Sequence, residues 1–287
     1  MTAQLLDGRA LARAMGREIA TEVAAFRAAR GVTPGIAVVQ VGTDPASSVY
    51  VGQIERSFTR AGMAYALRVL AQDAPAEALA TLLRSLNADP QVHGIIVQMP
   101  LPAHLPQGLV TDLLDPRKDV DGIHPLNAGR LMQQSGAYFA PATPAGGMEL
   151  LRRHGISLAG KHAVMAGRSS VVGRPMALLM LHEHATVTIC HSRTPDLAAV
   201  CRQAEVLAVA VGRPGMVTGE MIRPGAVVVD FGVNVVNGQI VGDVDLASAR
   251  NVAGWITPVP DGAGPLTNIM LLRNTLQAAR RQVADVE

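Results

Sequence analysis

Two α/β domains with parallel sheets are predicted by three observations. Short apolar runs alternate with amphipathic stretches along the chain, as strands and crossover helices do. A proline- and glycine-rich segment, YFAPATPAGG at 138–147, interrupts that alternation once. The pattern then restarts with a strand, a glycine loop and a helix.

Taken in order, residues 8–30 carry Leu11, Met15, Ile19, Val23 and Phe26 at helical spacing, with Gly31 where a helix stop belongs. Residues 35–42 read as a buried strand, followed by a turn at 43–45. A second helix is expected from Ser47 to about Ala61, N-capped by Ser47 or Ser48 and stopped by Gly62. Residues 76–88 give a third helix and 93–98 the next strand. The segment 99–102 is extended, because each proline restricts the residue before it. Further strands are expected at 161–166, 186–190, 206–211, 226–230 and 254–257, with a helix at 175–183. The last helix, 268–283, shows Ile269, Leu272, Leu276 and Ala279 on one face. The second domain is already closed by strands, so this helix is expected to return to the first. The resulting division is a three-layer α/β domain at 1–140, a second domain at 141–267, and 268–287 packing back on the first.

Hydrophobic residues make up 49% of the 287, enough to bury two cores. Charged residues are 17% with a net charge of +2 and no long basic run, so nothing favours nucleic acid or an anionic membrane. Lys118 and Lys161 are the only lysines, and Cys190 and Cys201 the only cysteines. No basic segment followed by an apolar one opens the chain, and no uncharged apolar run reaches ~18–20 residues. A protein of the reducing cytoplasm is expected. No cluster suggests a metal site.

The glycine loop GRSSVVGRP at 167–175 sits between a strand and a helix. There, backbone amides and a helix N-terminus can face a pyrophosphate. Ser169 replaces the middle glycine of the usual G-x-G-x-x-G, so the bare pattern is weak. A Rossmann-type domain that takes NAD ends its second strand in a carboxylate for the ribose diol. Here the second strand ends in Cys190-His191-Ser192-Arg193-Thr194, with no acid. An arginine and two hydroxyls suit a 2′-phosphate, which points to NADP.

With these segments in view, the chain resembles the methylenetetrahydrofolate dehydrogenase/methenyltetrahydrofolate cyclohydrolase family over nearly its whole length. The matching stretches are PASSVYV (45–51), GIIVQMPLP (94–102), KDVDGIHP (118–125), PATP (141–144), GRSSVVGRP (167–175), VGRPG (211–215), VDFGVN (229–234), GDVD (242–245) and TPVPDGAGP (257–265). The resemblance implies a folate-binding N-terminal domain, a Rossmann-type NADP domain, a cleft between them and a homodimer. It implies that Tyr50 stacks on the folate rings, that Asp121 accepts hydrogen bonds from the amino-pyrimidine edge, and that Gln98 sits beside the reacting centre. Pro260, Gly264 and Pro265 would line the folate pocket. Gly167, Arg168, Ser169, Val172, Gly173, Ser192, Arg193, Gly212, Pro214 and Val233 would hold NADP. Alone, Tyr50 reads as a packing residue, Gln98 as a turn cap and Asp121 as a solvated loop acid; jointly they read as a site. His124 and His154 read as structural.

Two positions depart from the family. Bifunctional members carry a proton-handling lysine four residues after the tyrosine, on the same helix face. Here that position is Ile54, which can neither exchange a proton nor carry charge. Glu55 and Arg56 point roughly 100° and 200° round the helix from it. Asp261 stands where the family loop has glycine, with the small Ala263 nearby, and it should be partnered or exposed. The expected activity is therefore NADP-dependent oxidation of methylenetetrahydrofolate with little or no cyclohydrolase step. The rivals are a remodelled pocket for another one-carbon carrier and a non-catalytic folate- or NADP-binding protein.

Overall fold

The computed structural model describes residues 2–43, 45–106 and 108–284, with the backbone alone described for 45–48. In chain order the first elements are β1 (Gln4–Leu5), α1 (Gly8–Arg30), β2 (Gly35–Val41), α2 (Pro45–Arg60), β3 (Ala64–Leu70), α3 (Ala76–Ala88), β4 (Gly94–Val97), α4 (Leu109–Leu113) and α5 (Pro125–Gln133). There follow α6 (Ala142–Arg153), β5 (His162–Ala166), α7 (Gly173–His182), β6 (Thr186–Cys190), α8 (Leu197–Cys201), β7 (Val206–Val209) and β8 (Val227–Asp230). The last are β9 (Asn234–Val236), β10 (Gln239–Val241), α9 (Leu246–Ala249), β11 (Trp255–Ile256) and α10 (Gly264–Ala284). Among the described residues no helix is long and apolar enough to cross a membrane.

The chain divides into two compact units. One comprises Ala14–Arg130, Ser135–Phe139 and the chain from Asn268 on; the other comprises residues up to Arg13, Leu131–Gln134 and Ala140–Thr267. The first is built on a parallel sheet in the order β3-β2-β4. Its central strand, GIAVVQV, is buried on both faces and so reads as one apolar run. Leu79, Leu83 and Leu86 of α3 pack against Ala37, Val39, Ile95 and Val97. Met15, Ile19 and Val23 of α1 are at most 2% exposed, and Gly31 ends that helix at φ +66°. Within this unit Asn274 of α10 donates to the Val120 carbonyl (2.8 Å), and the Arg281 guanidinium lies 4.7 Å over the Phe139 ring.

The other unit holds a six-stranded parallel sheet in the order β1-β11-β8-β7-β5-β6. The strand order reverses between β5 and β7, whose carboxyl ends carry Gly167 and Ala210. In open α/β sheets such a switch point is where ligands bind.

Several elements differ from those expected. Residues 2–13, assigned from sequence to the first domain, fall with the six-stranded unit, because β1 pairs with β11 and buries Ala3 and Leu6 there. Helix α2 begins at Pro45, so Ser47 and Ser48 lie within it and do not cap it; proline suits a first helical position, where no amide is needed. The expected turn at 43–45 includes Asp44, which lies outside the described residues. Strand β3 and helices α4, α5 and α8 have no counterpart in the expected pattern. Six of the ten residues at 138–147 belong to α6, not to a linker. Its glycines are there for close approach: a Cβ on Gly147 would overlap the Phe231 ring, and one on Gly146 would lie 2.9 Å from the Leu266 Cβ. The β9–β10 hairpin was also unexpected, and its turn is Asn237-Gly238 with both residues at positive φ.

Candidate active site

In the three-stranded unit the loop at 118–124 lies between α4 and the start of α5. The Ile95 amide donates to the Lys118 carbonyl (2.7 Å), which lays the loop beside β4. Lys118 is 5% exposed and donates its Nζ to the carbonyls of Leu86 (3.0 Å) and Asp89 (2.6 Å), at the end of α3. A cation there also suits the negative end of the helix dipole. Asp119 is fully buried and accepts from the amides of Ile123 (3.1 Å) and His124 (2.8 Å) and from Asn127 Nδ2 (2.7 Å). The loop is thus held by its first two side chains. Asp121 is different: among the described residues none donates a hydrogen bond to it. Burial, then the charge of Asp119, raises its carboxyl to about 7.

Tyr50 and Ile54 lie one turn apart on α2. Burial, then the nearby Asp121, pushes the Tyr50 phenol well above its usual value, so the ring is neutral and close to the free carboxylate. Ile54 is fully buried with Val51 and Phe58 on the packed face of the helix. Glu55 and Arg56 are exposed. Gln98 follows β4; its amide donates to the Val39 carbonyl (2.8 Å), which fixes a half-buried side chain at the strand's carboxyl end. The His124 Nδ1 accepts from the Leu126 amide, and His154 packs edge-on to Trp255 at 6.0 Å. Both histidines have structural partners.

At the switch point of the six-stranded sheet lies a cavity of about 270 Å³, lined by Gly167, Arg168, Ser169, Ser192 and Arg213 among others. Gly167 has φ +123°, and a Cβ there would overlap the Ala210 carbonyl, so only glycine fits the cradle. Ser169, in place of the middle glycine, accepts from the amides of Val172 (3.1 Å) and Gly173 (3.2 Å) and so closes the turn into α7. No residue lining this cavity carries a carboxylate. A dinucleotide with an anionic ribose substituent fits such a lining: two arginines, a free hydroxyl and a glycine cradle. Arg193 is exposed beyond it, its amide donating to His191 Nδ1 (3.1 Å), and Thr194 Oγ1 accepts from the His191 amide. Gly212 donates to Asp243, Pro214 lines a neighbouring cavity, and Val233 is 68% exposed.

Between β11 and α10, Pro260 is exposed and Gly262 and Ala263 are buried, and at the start of α10 Gly264 is exposed and Pro265 half-buried. Asp261 is not left unpaired: it forms an ion pair with Arg9 at 2.6 Å.

Residues 6–121 match the model of the tetrahydrofolate dehydrogenase/cyclohydrolase catalytic domain, and residues 141–283 match that of its NAD(P)-binding domain. The chain belongs to the tetrahydrofolate dehydrogenase/cyclohydrolase family. A protein of Herpetosiphon aurantiacus named bifunctional protein FolD is 54% identical over 98% of both chains. The bifunctional FolD methylenetetrahydrofolate dehydrogenase/cyclohydrolase of Campylobacter jejuni is similar in structure, with TM-score 0.95 and 40% identity over 97% of this chain and 99% of that one. The Trypanosoma brucei enzyme, solved with NADP and an inhibitor, gives TM-score 0.94 and 36% identity over 99% of each chain. This is an α/β enzyme fold of folate one-carbon chemistry, with a Rossmann-type unit for a nicotinamide dinucleotide.

Two kinds of functional residue escaped the sequence. Arg213 lines the dinucleotide cavity; its signal was its place in the VGRPG segment. Asp243 fixes that segment by accepting from the amides of Val211 (2.6 Å), Gly212 (2.8 Å) and Arg213 (3.0 Å). Nothing in the sequence says which amides a buried acid will meet.

Proposed function

We propose that this chain oxidises 5,10-methylenetetrahydrofolate to 5,10-methenyltetrahydrofolate with NADP and hydrolyses the methenyl product weakly or not at all. The observation that carries the second half is Ile54, fully buried at the position where the family resemblance implies a lysine. Neither lysine of the chain substitutes for it. Lys118 is bound to two carbonyls, and Lys161 lies 3.7 Å from Glu205 in the other unit.

In this mechanism the neutral Tyr50 ring stacks on the pterin, and Asp121 accepts from its amino-pyrimidine edge, a donor-rich surface. Gln98 offers one donor and one acceptor beside the one-carbon bridge. Gly167, Arg168, Ser169 and Ser192 hold the dinucleotide, with Val172, Gly173, Gly212, Pro214 and Val233 shaping the turns around it. Arg213 or Arg193 pairs with the 2′-phosphate. The bound NADP supplies the hydride acceptor; the chain supplies position, which accounts for much of the barrier in such transfers. Hydrolysis also needs a proton carrier, typically worth ~10²–10⁴-fold, and Ile54 is none. By the same likeness we infer a cytoplasmic homodimer.

The rival is a bifunctional enzyme, which the names of the relatives favour. Paired assays decide: NADPH absorbance for oxidation, and loss of methenyl absorbance above the spontaneous rate for hydrolysis. The proposal expects oxidation at least ~10²-fold faster than hydrolysis, and a hydrolytic gain in Ile54→Lys. Equal rates in the wild type would sink it.

A further inference from the structure

The turn that follows β6 is tied to itself by three hydrogen bonds, and His191 takes part in all of them. Its carbonyl accepts from the Thr194 amide (2.8 Å), and its amide donates to Thr194 Oγ1 (2.9 Å). The ring closes the third bond, with Nδ1 accepting from the Arg193 amide (3.1 Å). An amide can only donate, so Nδ1 carries no proton and the proton of the ring sits on Nε2. The base of the turn is anchored beside the glycine cradle, because the Gly167 amide donates to the Cys190 carbonyl (2.9 Å). Two of the three bonds therefore depend on side chains, an acceptor ring at 191 and a hydroxyl at 194.

That closure leaves one hydroxyl of the turn for a ligand. Of the two expected at this strand end, Thr194 is engaged within the turn, whereas Ser192 lines the cavity together with His191, Arg168 and Arg213. In dinucleotide-binding units this strand end is where the ribose diol, or the phosphate upon it, is read. We propose that His191 and Thr194 are positioning residues that hold Ser192 and Arg193 in place for the 2′-phosphate of NADP, and so set its preference over NAD. The inference rests on the NADP reading of this cavity and not on which folate is oxidised. Every residue in it belongs to the six-stranded unit. Neither positioning residue has to touch the phosphate: a turn closed before the ligand arrives has less disorder to lose on binding.

Calorimetry with NADP and with NAD, in the wild type and four variants, tests it. His191→Leu and Thr194→Val each remove one acceptor, and loss of one such bond typically shifts an equilibrium about three- to tenfold. Each should weaken NADP by that factor and leave NAD within about twofold. His191→Asn and Thr194→Ser should stay near the wild type for both dinucleotides. An asparagine carbonyl accepts from the amide two residues on, as in an Asx turn, and serine restores the hydroxyl. Adenosine 2′,5′-bisphosphate against adenosine 5′-monophosphate should show the same split, which would assign it to the ribose end.

Equal losses for NADP and NAD, or none in either disruptive variant, would overturn the proposal. So would conservative variants as weak as the disruptive ones, since the bonds would then not be the cause. Failure of both disruptive variants to fold would make the turn a folding element and overturn it too. A wild type that binds both dinucleotides alike refutes the NADP reading itself, and that result is separate because it is seen before any variant is made.

Discussion

In the six-stranded unit the buried Asp230 and Asp243 are engaged mainly by backbone amides, whereas the loop at 118–124 of the other unit engages one acid and leaves the next free. Asp230 accepts from the amides of Gly232 (2.8 Å), Asp243 (3.2 Å) and Val244 (2.9 Å). Asp243 accepts from three amides of the 211–213 turn and from Asn234 Nδ2 (2.9 Å). Asp119 resembles them, but Asp121, two residues on, has no described donor. The difference decides what each unit can recognise. With its acids engaged, the dinucleotide cavity presents Arg168, Arg213 and Ser192, a lining for phosphate. The three-stranded unit presents the Asp121 carboxylate, which on the proposed function is a lining for amino groups. Which charges remain after the fold has satisfied itself matters more than which are present.

The strongest way to break that contrast is to remove one acid of each kind. Asp243→Ala orphans four donors, some of which water will reach, and should cost at least about 3 kcal/mol in a denaturation midpoint series. Asp121→Ala orphans none and removes a charge that burial opposes, so it should cost no stability and should raise it at neutral pH. Equal losses would mean that Asp121 is as structural as Asp243.

Next in size is ligand affinity. Asp121→Ala should weaken tetrahydrofolate binding by one to two powers of ten, about 1.5–3 kcal/mol for a charge-assisted hydrogen bond. Its NADP affinity should move less than about twofold, because that ligand belongs to the other unit. Calorimetry with each ligand separately checks both halves, and a comparable fall for NADP would dissolve the division of labour.

A smaller effect sharpens the other side of the contrast. Either Arg213→Ala or Arg193→Ala should lower the preference for NADP over NAD about tenfold in kcat/KM, the scale of one ion-assisted contact. Arg213 lines the cavity and Arg193 lies exposed beyond it, so the larger loss is expected at Arg213. Neither loss, or a wild type that uses both cofactors equally, would leave the 2′-phosphate without a holder.

The sequence exposed the sheet strands that are buried on both sides, such as β2 and β5, because apolar runs between glycines have few other uses. It hid β3, an edge strand whose burial alternates poorly, and α6, whose prolines and glycines look like linker composition. Only the Phe231 ring and Leu266 explain why helix positions 146 and 147 must be glycine. The β9–β10 turn is legible, since Asn-Gly between apolar pairs is a hairpin signal. In the site, Tyr50, Gln98, Asp121 and the Ile54 substitution stood in recognisable segments. The engagement of Lys118 and Asp119 did not, because, Asn127 Nδ2 apart, their partners are backbone carbonyls and amides that any residue could supply.

The subtlest consequence of a free, half-buried acid is its response to pH. Asp121 titrates near 7 in the fold because burial and then Asp119 oppose its charge, whereas an unfolded aspartate ionises near 3.8. Folding therefore favours the protonated form. The stability this group contributes is complete below about 3.8 and is lost as pH rises toward 7. On the proposed function ligand binding runs the other way, because the ionised carboxylate accepts with both oxygens from the donors of the pterin edge, whereas the protonated acid is a weaker acceptor and turns an O–H toward them. Tyr50 stays protonated throughout, so it adds no slope of its own. Folate affinity should thus rise about tenfold between pH 6 and 8, with most of the gain below 7.5. In Asp121→Asn, which keeps an acceptor without the titration, the profile should flatten while affinity at pH 8 drops. NADP affinity over the same range should not follow the Asp121 curve. A wild-type folate profile that is flat from 6 to 8, or one that survives unchanged in Asp121→Asn, would place the pterin contact on another residue.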